Sequence, residues 1–274
     1  MNIQVSNDDG IQSSGIRHLA LAAKRMGKVT IVTPETQQTA QGKSLTFNSP
    51  IRIHKVEVDG LEAYGHSGVP ADSLILYEHF TGKTPDVVLS GINGGENTSV
   101  HSILTSGTCG VAMEAGLRNI PAFAFSMDVP EEYFFAKSLP FDMETIANIA
   151  VDVAKVFLEA PKDFWNRILF VNVNFPHEVN HETKMEVVGL ETYKYINYLV
   201  ERIDPKGEQY FWLWGEKRKD WQKDKDSYKV IFDNTITITP VTFGIYEKTL
   251  NAAKDVLKES KLTETIKEYF TEPR

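Results

Sequence analysis

The 274-residue chain lacks the features of a disulfide-bonded, membrane-spanning or nucleic-acid-binding protein. Its single cysteine, Cys109, excludes an intramolecular disulfide and suits a reducing compartment. No apolar run reaches the roughly 20 residues that a membrane-spanning helix needs, and no secretory signal pattern precedes the first predicted strand. The formal net charge of −8 argues against binding along a nucleic-acid backbone. We therefore expect a cytoplasmic protein that binds neither a membrane nor a nucleic-acid duplex.

Apolar and charged residues are present in ordinary amounts. Hydrophobic residues make up 42% of the chain and charged residues 24%, which supports a core for one large domain or two small ones. The negative net charge leaves room for a small anionic substrate, because a bound metal ion can set the local charge.

Apolar strands alternate with amphipathic helices over the first part of the chain, which predicts βαβ units and a parallel sheet. The main predicted strands cover residues 2–6, 29–33, 86–90, 122–126 and 168–173. The predicted helices cover residues 15–26, 70–80, 108–117 and 142–159. Short strands are predicted at residues 45–47, 51–58 and 62–65, as a hairpin excursion.

After residue 176 the pattern changes. Residues 185–240 predict antiparallel strands, and residues 246–258 and 263–270 predict helices. We predict an α/β fold, a Rossmann-like three-layer sandwich with a mostly parallel sheet, joined to an antiparallel C-terminal hairpin extension. Its core is residues 1–176 and its extension residues 177–274. Large aromatic residues on a peripheral hairpin predict an oligomer interface. They are Tyr193, Tyr195, Tyr198, Tyr210, Phe211, Trp212 and Trp214.

Two adjacent acidic residues, Asp8 and Asp9, directly follow the first predicted strand. Ligands of parallel α/β sheets bind outside the carboxyl ends of the strands. Two carboxylates there repel each other, and a hard divalent cation is the usual partner that stabilises them. The alternative is a pair of helix N-caps, but Gly15, the predicted helix start, is too distant for both residues to cap it. The position therefore favours a metal site.

Two further segments predict an anion site. Residues 90–97, Ser-Gly-Ile-Asn-Gly-Gly-Glu-Asn, follow a buried strand, and their glycines allow backbone N–H groups to approach an anion. Residues 105–108, Thr-Ser-Gly-Thr, precede a predicted helix whose N-terminus is suited to binding an anion. A plain turn and ordinary N-capping are the alternatives for the two segments.

Together these blocks closely resemble the SurE survival-protein family of metal-dependent 5′/3′-nucleotidases. The resemblance extends over most of residues 1–245. The matching residues are Ser6-Asn7-Asp8-Asp9-Gly10-Ile11, Gly15-Ile16, Lys43-Ser44-Leu45-Thr46, Gly68-Val69-Pro70-Ala71-Asp72, Pro85-Asp86-Val87-Val88-Leu89-Ser90-Gly91-Ile92-Asn93 with Gly95 and Asn97, Ser106-Gly107-Thr108, Ala112-Met113-Glu114, Ile120-Pro121-Ala122, Asn172-Val173-Asn174 with Pro176, and Ile236-Thr237-Ile238-Thr239-Pro240.

The resemblance implies one divalent metal ion per subunit, Mg²⁺ or Mn²⁺, and hydrolysis of nucleoside monophosphates by a homodimer or homotetramer. The implied metal ligands are Asp8, Asp9, Thr39 and Asn93. The implied catalytic residues are Asp8, Asp9, Asn97 and Ser106, and the implied substrate-binding residues are Asn7, Asn97, Ser106, Gly107 and Thr108.

The sequence departs from the family at three places. Thr39 stands where the family usually has Ser, Thr105 stands where it often has Tyr, and residues 98–104 lack its Gly-Asp-Asp run. Two other readings stay open: a nucleotide sensor with a degenerate site, and a receiver-like phosphoacceptor domain. The receiver reading needs an Asp at the end of the third sheet strand, where Ser90 and Asn93 stand.

Overall fold

The computed structural model describes residues 1–134, 136–244, 250, 251 and 253–255. Residues 1–241 form one compact unit, and residues 242–274 belong to a second. The strands are β1 (Asn2–Ser6), β2 (Lys28–Pro34), β3 (Ile53–Val58), β4 (Leu61–His66), β5 (Val87–Gly94), β6 (Ala122–Met127), β7 (Phe170–Phe175), β8 (Lys184–Val187), β9 (Tyr195–Ile203), β10 (Gln209–Lys217) and β11 (Thr235–Val241). The helices are α1 (Ser14–Ala23), α2 (Asp72–Thr81), α3 (Val100–Thr105), α4 (Gly107–Leu117), α5 (Met143–Leu158), α6 (Lys162–Trp165) and α7 (Asp226–Ile231).

A nine-stranded sheet of order β3-β4-β2-β1-β5-β6-β7-β11-β8 forms the middle layer. The six strands from β4 to β7 are parallel, while β3 and β11 run antiparallel to their neighbours β4 and β7. The chain leaves β1 toward β2 on one side and later returns to pair β5 on the other. This reversal of strand order beside β1 is the kind of position where open α/β sheets bind ligands.

Helices cover both faces of the sheet, so the predicted three-layer α/β sandwich is confirmed. Helices α1 and α5 pack against each other over one face, where Ile16, Leu19 and Ile146 join the larger core. Helices α2 and α4 pack on the opposite face, around Leu74 and Val111. On β5 and β6, alternate residues supply the two cores: Leu89 and Phe123 join the larger core, whereas Val88 and Ala124 join the second.

Glycine is required where α1 meets β5. A Cβ atom on Gly15 would lie 1.9 Å from the backbone oxygen of Ile92, a distance that no side chain can occupy. The first turn of α1 therefore lies directly against the backbone of β5, just beyond the end of β1.

Two strand predictions were wrong. Residues 45–47 form no strand; instead the backbone N–H of Thr46 donates to Asp72 and its hydroxyl accepts from the N–H of Val69. Within residues 185–240, β8 pairs in parallel with β11, although antiparallel pairing was expected. Alternation of apolar and polar residues predicts a strand but carries no information about its direction.

Four further elements differ from the prediction. Strand β5 continues four residues beyond Ser90 to Gly94, and the short helices α3, α6 and α7 were not predicted. Helices α3 and α7 have six residues and α6 has four, too few to show a helical hydrophobic period. The predicted helix 246–258 coincides with described helical residues at 250, 251 and 253–255, and helix 263–270 lies outside the described residues.

Strands β9 and β10 form a separate two-stranded antiparallel sheet, in register from Tyr195 opposite Lys217 to Ile203 opposite Gln209. This confirms the predicted hairpin. Trp212, Leu213 and Trp214 are 62%, 67% and 55% exposed. A two-stranded sheet is marginally stable alone, so such exposure is typical of a surface that another element covers. The division of the chain at residue 176 stays a prediction. Within the described ranges, no helix is long and apolar enough to span a bilayer.

The buried ring of His66 gives a pH-dependent term in stability. His66 is 1% exposed and its Nε2 lies 2.8 Å from the Ser73 hydroxyl. Burial lowers the pKa of His66 from 6.5 to about 4, with Asp72 and Glu35 acting in the opposite direction. The folded state thus binds fewer protons than the unfolded state between these values, so stability is highest above pH 6.5 and falls toward pH 4.

We predict that the stability difference between the wild type and His66→Gln changes with pH over this window. The fall of the His66 pKa from 6.5 to about 4 corresponds to about 3 kcal/mol of unfolding free energy. The wild type loses this contribution as the pH falls from 7 to 4, whereas His66→Gln, which has no imidazole there, does not. Urea unfolding at pH 7, 5.5 and 4 measures it, with His181→Gln, whose ring is 91% exposed, as the control. A wild-type advantage that is the same at all three pH values would contradict the prediction.

Candidate active site

The loop after β1 is held by the side chain of Asn7, which is fully buried. Its amide oxygen accepts from the Thr33 hydroxyl at 2.6 Å and from the Gly10 N–H at 3.2 Å, while its nitrogen donates to the Ser13 hydroxyl at 2.7 Å. These bonds fix the path of the two residues that follow, Asp8 and Asp9. Asn7 does not line the cavity described below, and its hydrogen bonds hold the loop; a contact between Asn7 and the substrate stays a prediction.

Asp8 lies against the N-terminus of α4. The hydroxyl of Thr108 donates to Asp8 Oδ1, and the carboxylate also takes hydrogen bonds from the backbone of Gly107 and Thr108. A Cβ on Gly107 would lie 2.7 Å from the Cβ of Asp8 and 2.8 Å from Pro70, so only glycine allows this approach. Burial raises the pKa of Asp8, and the hydrogen bonds partly offset that rise.

Asp9 points to the same region and is held by weaker contacts. Its carboxylate accepts from the side chain of Gln37 and from the backbone N–H of Gly94, both at 3.4 Å. Burial and the charge of Asp8 raise the pKa of Asp9. The structure therefore brings two carboxylates together in surroundings that oppose the ionisation of both.

This donor set fits a hard divalent cation. Two carboxylates that each disfavour the other's charge are stabilised when a cation lies between them, and Mg²⁺ and Mn²⁺ prefer oxygen ligands. Across the described ranges, no group of three His, Cys, Asp or Glu side chains is arranged to hold a metal. Any cation here would therefore need oxygens from other residue types, such as the hydroxyl of Thr39 and the amide of Asn93.

Thr39 and Asn93 both line the cavity beside the two carboxylates. The loop of Thr39 is fixed on either side, because the Gln38 N–H donates to the Asp8 carbonyl at 2.7 Å and the Gly42 N–H donates to the Thr105 carbonyl at 2.8 Å. The amide nitrogen of Asn93 donates to the Gly95 carbonyl at 2.5 Å. That bond orients the amide and leaves its oxygen as the atom suited to a cation.

Asn97 and Ser106 stand on the other side of the cavity. Asn97 donates from its amide nitrogen to the Ser126 hydroxyl at 2.8 Å, which uses one of its two N–H bonds. The hydroxyl of Ser106 accepts from the Cys109 N–H at 3.1 Å and so caps α4. Ser106 both caps the helix and lines the cavity, so its capping role leaves the predicted anion contact open. Burial raises the pKa of Cys109 to about 12, which excludes a thiolate nucleophile at neutral pH.

One cavity of about 270 Å³ collects most of the predicted site at the carboxyl end of the sheet. Six predicted residues line it: Asp8, Asp9, Thr39, Asn93, Asn97 and Ser106. Gly107 and Thr108 are not among its lining residues and instead contact Asp8 from beneath.

Several lining residues lie outside the residues and segments predicted from the sequence: Gln37, Ala40, His101, Ser102, Phe134, Lys194 and Tyr195. Gly94, Gly95, Glu96 and Thr105, which also line the cavity, belong to the two segments predicted as an anion site. The ammonium of Lys194, on the segment before β9, donates to the side chain of Glu96 at 2.8 Å and to its carbonyl at 2.7 Å. Both side chains are 3% exposed. Lys194 is 98 residues from Glu96 along the chain, so no local sequence pattern could predict the contact. A buried charge pair is nevertheless unusual enough to indicate a specific role.

Comparisons with known proteins agree with this geometry. The family model described as "Survival protein SurE" matches residues 3–197. A protein named "5′-nucleotidase SurE" from Methanopyrus kandleri is 38% identical over 265 residues, which cover 94% of this chain and 97% of the relative. One of the same name from Pyrobaculum arsenaticum is 33% identical over 271 residues, 98% of this chain and 99% of the relative.

Among solved structures, the SurE protein from Aquifex aeolicus superposes with a TM-score of 0.74 at 30% sequence identity. The superposition covers 96% of this chain and all of that one. The family model, the full-length relatives and the shared fold agree, and the chain therefore belongs to the SurE family.

Proposed function

We propose that this protein hydrolyses phosphate monoesters in a reaction that depends on a divalent metal ion, with nucleoside 5′- and 3′-monophosphates as its substrates. The observation that carries the proposal is the convergence of Asp8 and Asp9 with Asn97 and Ser106 on one cavity. The relatives named 5′-nucleotidase support the substrate class.

The residues that would hold the cation are Asp8, Asp9, Thr39 and Asn93. A divalent cation bound there supplies Lewis-acid activation of a phosphoryl oxygen and of the attacking water. Thr108 and the N-terminus of α4 fix the orientation of the Asp8 carboxylate. Gln37 and Gly94 orient Asp9, and the bond from Asn93 to Gly95 orients the Asn93 amide.

Asn97 and Ser106 would hold the phosphate. Asn97 retains one amide N–H after its bond to Ser126, and the Ser106 hydroxyl retains its own hydrogen after accepting from Cys109. Both residues line the cavity that contains the carboxylate pair. Donors fixed in this way stabilise charge that develops on the phosphoryl oxygens without having to reorganise.

Assembly as a homodimer or homotetramer is a further part of the proposal. The exposed aromatic and aliphatic residues of the β9–β10 hairpin support it, because a patch of this kind is typical of an interaction surface. The cytoplasmic location likewise stays a prediction.

We predict phosphate release from nucleoside monophosphates in Mg²⁺ or Mn²⁺, its loss in chelator, and a loss of at least about a hundredfold in turnover for Asp8→Asn. The substitution removes a charge but nearly keeps the shape of the side chain. Asp163→Asn, at a carboxylate that is 71% exposed, is the matched control and should keep full activity. A protein that binds nucleotides but releases no phosphate would be a sensor and not a hydrolase. Activity that survives both the chelator and Asp8→Asn would exclude the metal-dependent reaction.

We also predict different effects for two substitutions at Thr39. Thr39→Ser keeps the hydroxyl, whereas Thr39→Val keeps the shape and removes it. The valine variant should raise the Mn²⁺ concentration for half-maximal activity by at least about tenfold, a loss that even an outer partner of a metal site can cause. A titration of activity against Mn²⁺ measures this. The same Mn²⁺ dependence in both variants would remove Thr39 from the ligand set.

A further inference from the structure

A row of polar residues crosses the sheet at its carboxyl edge, partly buried on β5 and fully buried on β6 and β7. Asn93 on β5 is in register with Ser126 on β6, which is in register with Asn174 on β7. Ser126 and Asn174 are at most 1% exposed, and Asn172, two residues before Asn174, is fully buried. Parallel strands covered on both faces are normally apolar, and a buried polar group costs free energy unless it is hydrogen-bonded. The presence of these polar residues in the sheet therefore needs an explanation.

Three of these polar residues, Ser126, Asn172 and Asn174, form hydrogen bonds with the same residue, Asn97. The amide oxygen of Asn174 accepts from the backbone N–H of Asn97 at 2.8 Å. The amide nitrogen of Asn172 donates to the backbone carbonyl of Asn97 at 2.9 Å. The Ser126 hydroxyl accepts from the side chain of Asn97 at 2.8 Å.

These contacts replace the pairing that a strand would provide. Strand β5 ends at Gly94, so the backbone of Asn97 has no neighbour in the ladder, although Asn97 is only 8% exposed. Buried backbone groups need partners. Asn172 and Asn174 are two residues apart on β7 and therefore share a face, while Val173 between them packs into the apolar core on the other face.

We infer that Asn172 and Asn174 are positioning residues that act through Asn97. Their hydrogen bonds to the backbone N–H and carbonyl of Asn97 fix the position from which its side-chain amide contacts the phosphate of the substrate. This inference rests on the proposed function, because it assigns Asn97 to phosphate binding. A shift of about 1 Å in a positioned group can cost on the order of a hundredfold in rate, so a rigid grip has kinetic consequences.

A double-mutant cycle tests whether the effect passes through Asn97. The four proteins are the wild type, Asn97→Ala, Asn174→Leu and the double variant. The measurements are kcat and KM for a nucleoside monophosphate at saturating Mn²⁺, and the Kd of inorganic phosphate by calorimetry. We expect Asn174→Leu to lower kcat/KM by about tenfold or more and to weaken phosphate binding. In the Asn97→Ala background the same change should have no further effect, because no amide is left to position.

Val173→Ala is the matched control, since it removes buried atoms from the same strand without touching Asn97. It should lower thermal stability and keep kcat/KM within about twofold of the wild type. If Asn174→Leu does not fold, Asn172→Leu takes its place in the cycle, because it removes the bond to the carbonyl of the same residue.

The inference is overturned if Asn174→Leu retains wild-type kinetics and phosphate affinity, or if its loss multiplies fully with that of Asn97→Ala. Wild-type kinetics in Asn97→Ala would overturn it as well, while leaving hydrolysis itself in place. A wild-type protein without turnover would contradict the proposed function. In that case phosphate calorimetry on the same four proteins still tests the inference, with the same expected non-additivity.

Discussion

Asp8 and Asp9 put two carboxylates at the end of a buried strand, where burial raises the pKa of both and the charge of Asp8 raises that of Asp9 further. The interaction between two such charges is several times stronger near protein than in bulk water. Much of the surrounding structure fixes this pair in place. Asn7 holds the loop, α4 presents its N-terminus to Asp8, and Gly107 permits that approach. An arrangement that holds two like charges together is stable when a cation completes it.

Apolar and polar side chains of the central sheet support the site in different ways. The central strands bury their alternate residues in two apolar cores, which makes the frame rigid. Near the ends of β5, β6 and β7 the polar residues Asn93, Ser126 and Asn174 stand in register. Their hydrogen bonds extend the rigidity of the strands to a loop that has no ladder of its own. The residues that we propose for the cation and for the phosphate are thus supported by neighbouring strands of one sheet.

Much of the fold follows from patterns that act locally. The apolar period predicted α1 and α5, and the predicted bounds of β1 and β6 lie within one residue of the observed ones. Asp8 and Asp9 could be singled out from the sequence because two adjacent acidic residues directly after a strand indicate a ligand site without knowledge of distant contacts. Direction and short elements were not predictable in this way: β8 pairs in parallel through a contact with a distant strand, and α3 is too short to show a period.

The candidate site likewise contains residues that local patterns predict and residues that depend on long-range contacts. The structure places Asn93, Asn97, Ser106 and Thr39 on the cavity, and their roles there stay predictions. Lys194 and Tyr195 were missed as cavity residues because their place depends on contacts between segments about a hundred residues apart. Asn7, for which a substrate contact was predicted, instead bonds Thr33 on β2 and Gly10 and Ser13 in the loop.

The central claim is that the carboxylate pair exists to bind a divalent cation, and the most direct test measures binding without any turnover. Mn²⁺ titration by calorimetry on the wild type, Asp9→Asn and the exposed-site control Asp163→Asn should give one ion per chain for the wild type and the control. The affinity of Asp9→Asn should fall by at least about tenfold, because one of two charged ligands is lost. A wild type that binds no Mn²⁺, or an Asp9→Asn variant that binds it as tightly as the wild type, would contradict the account.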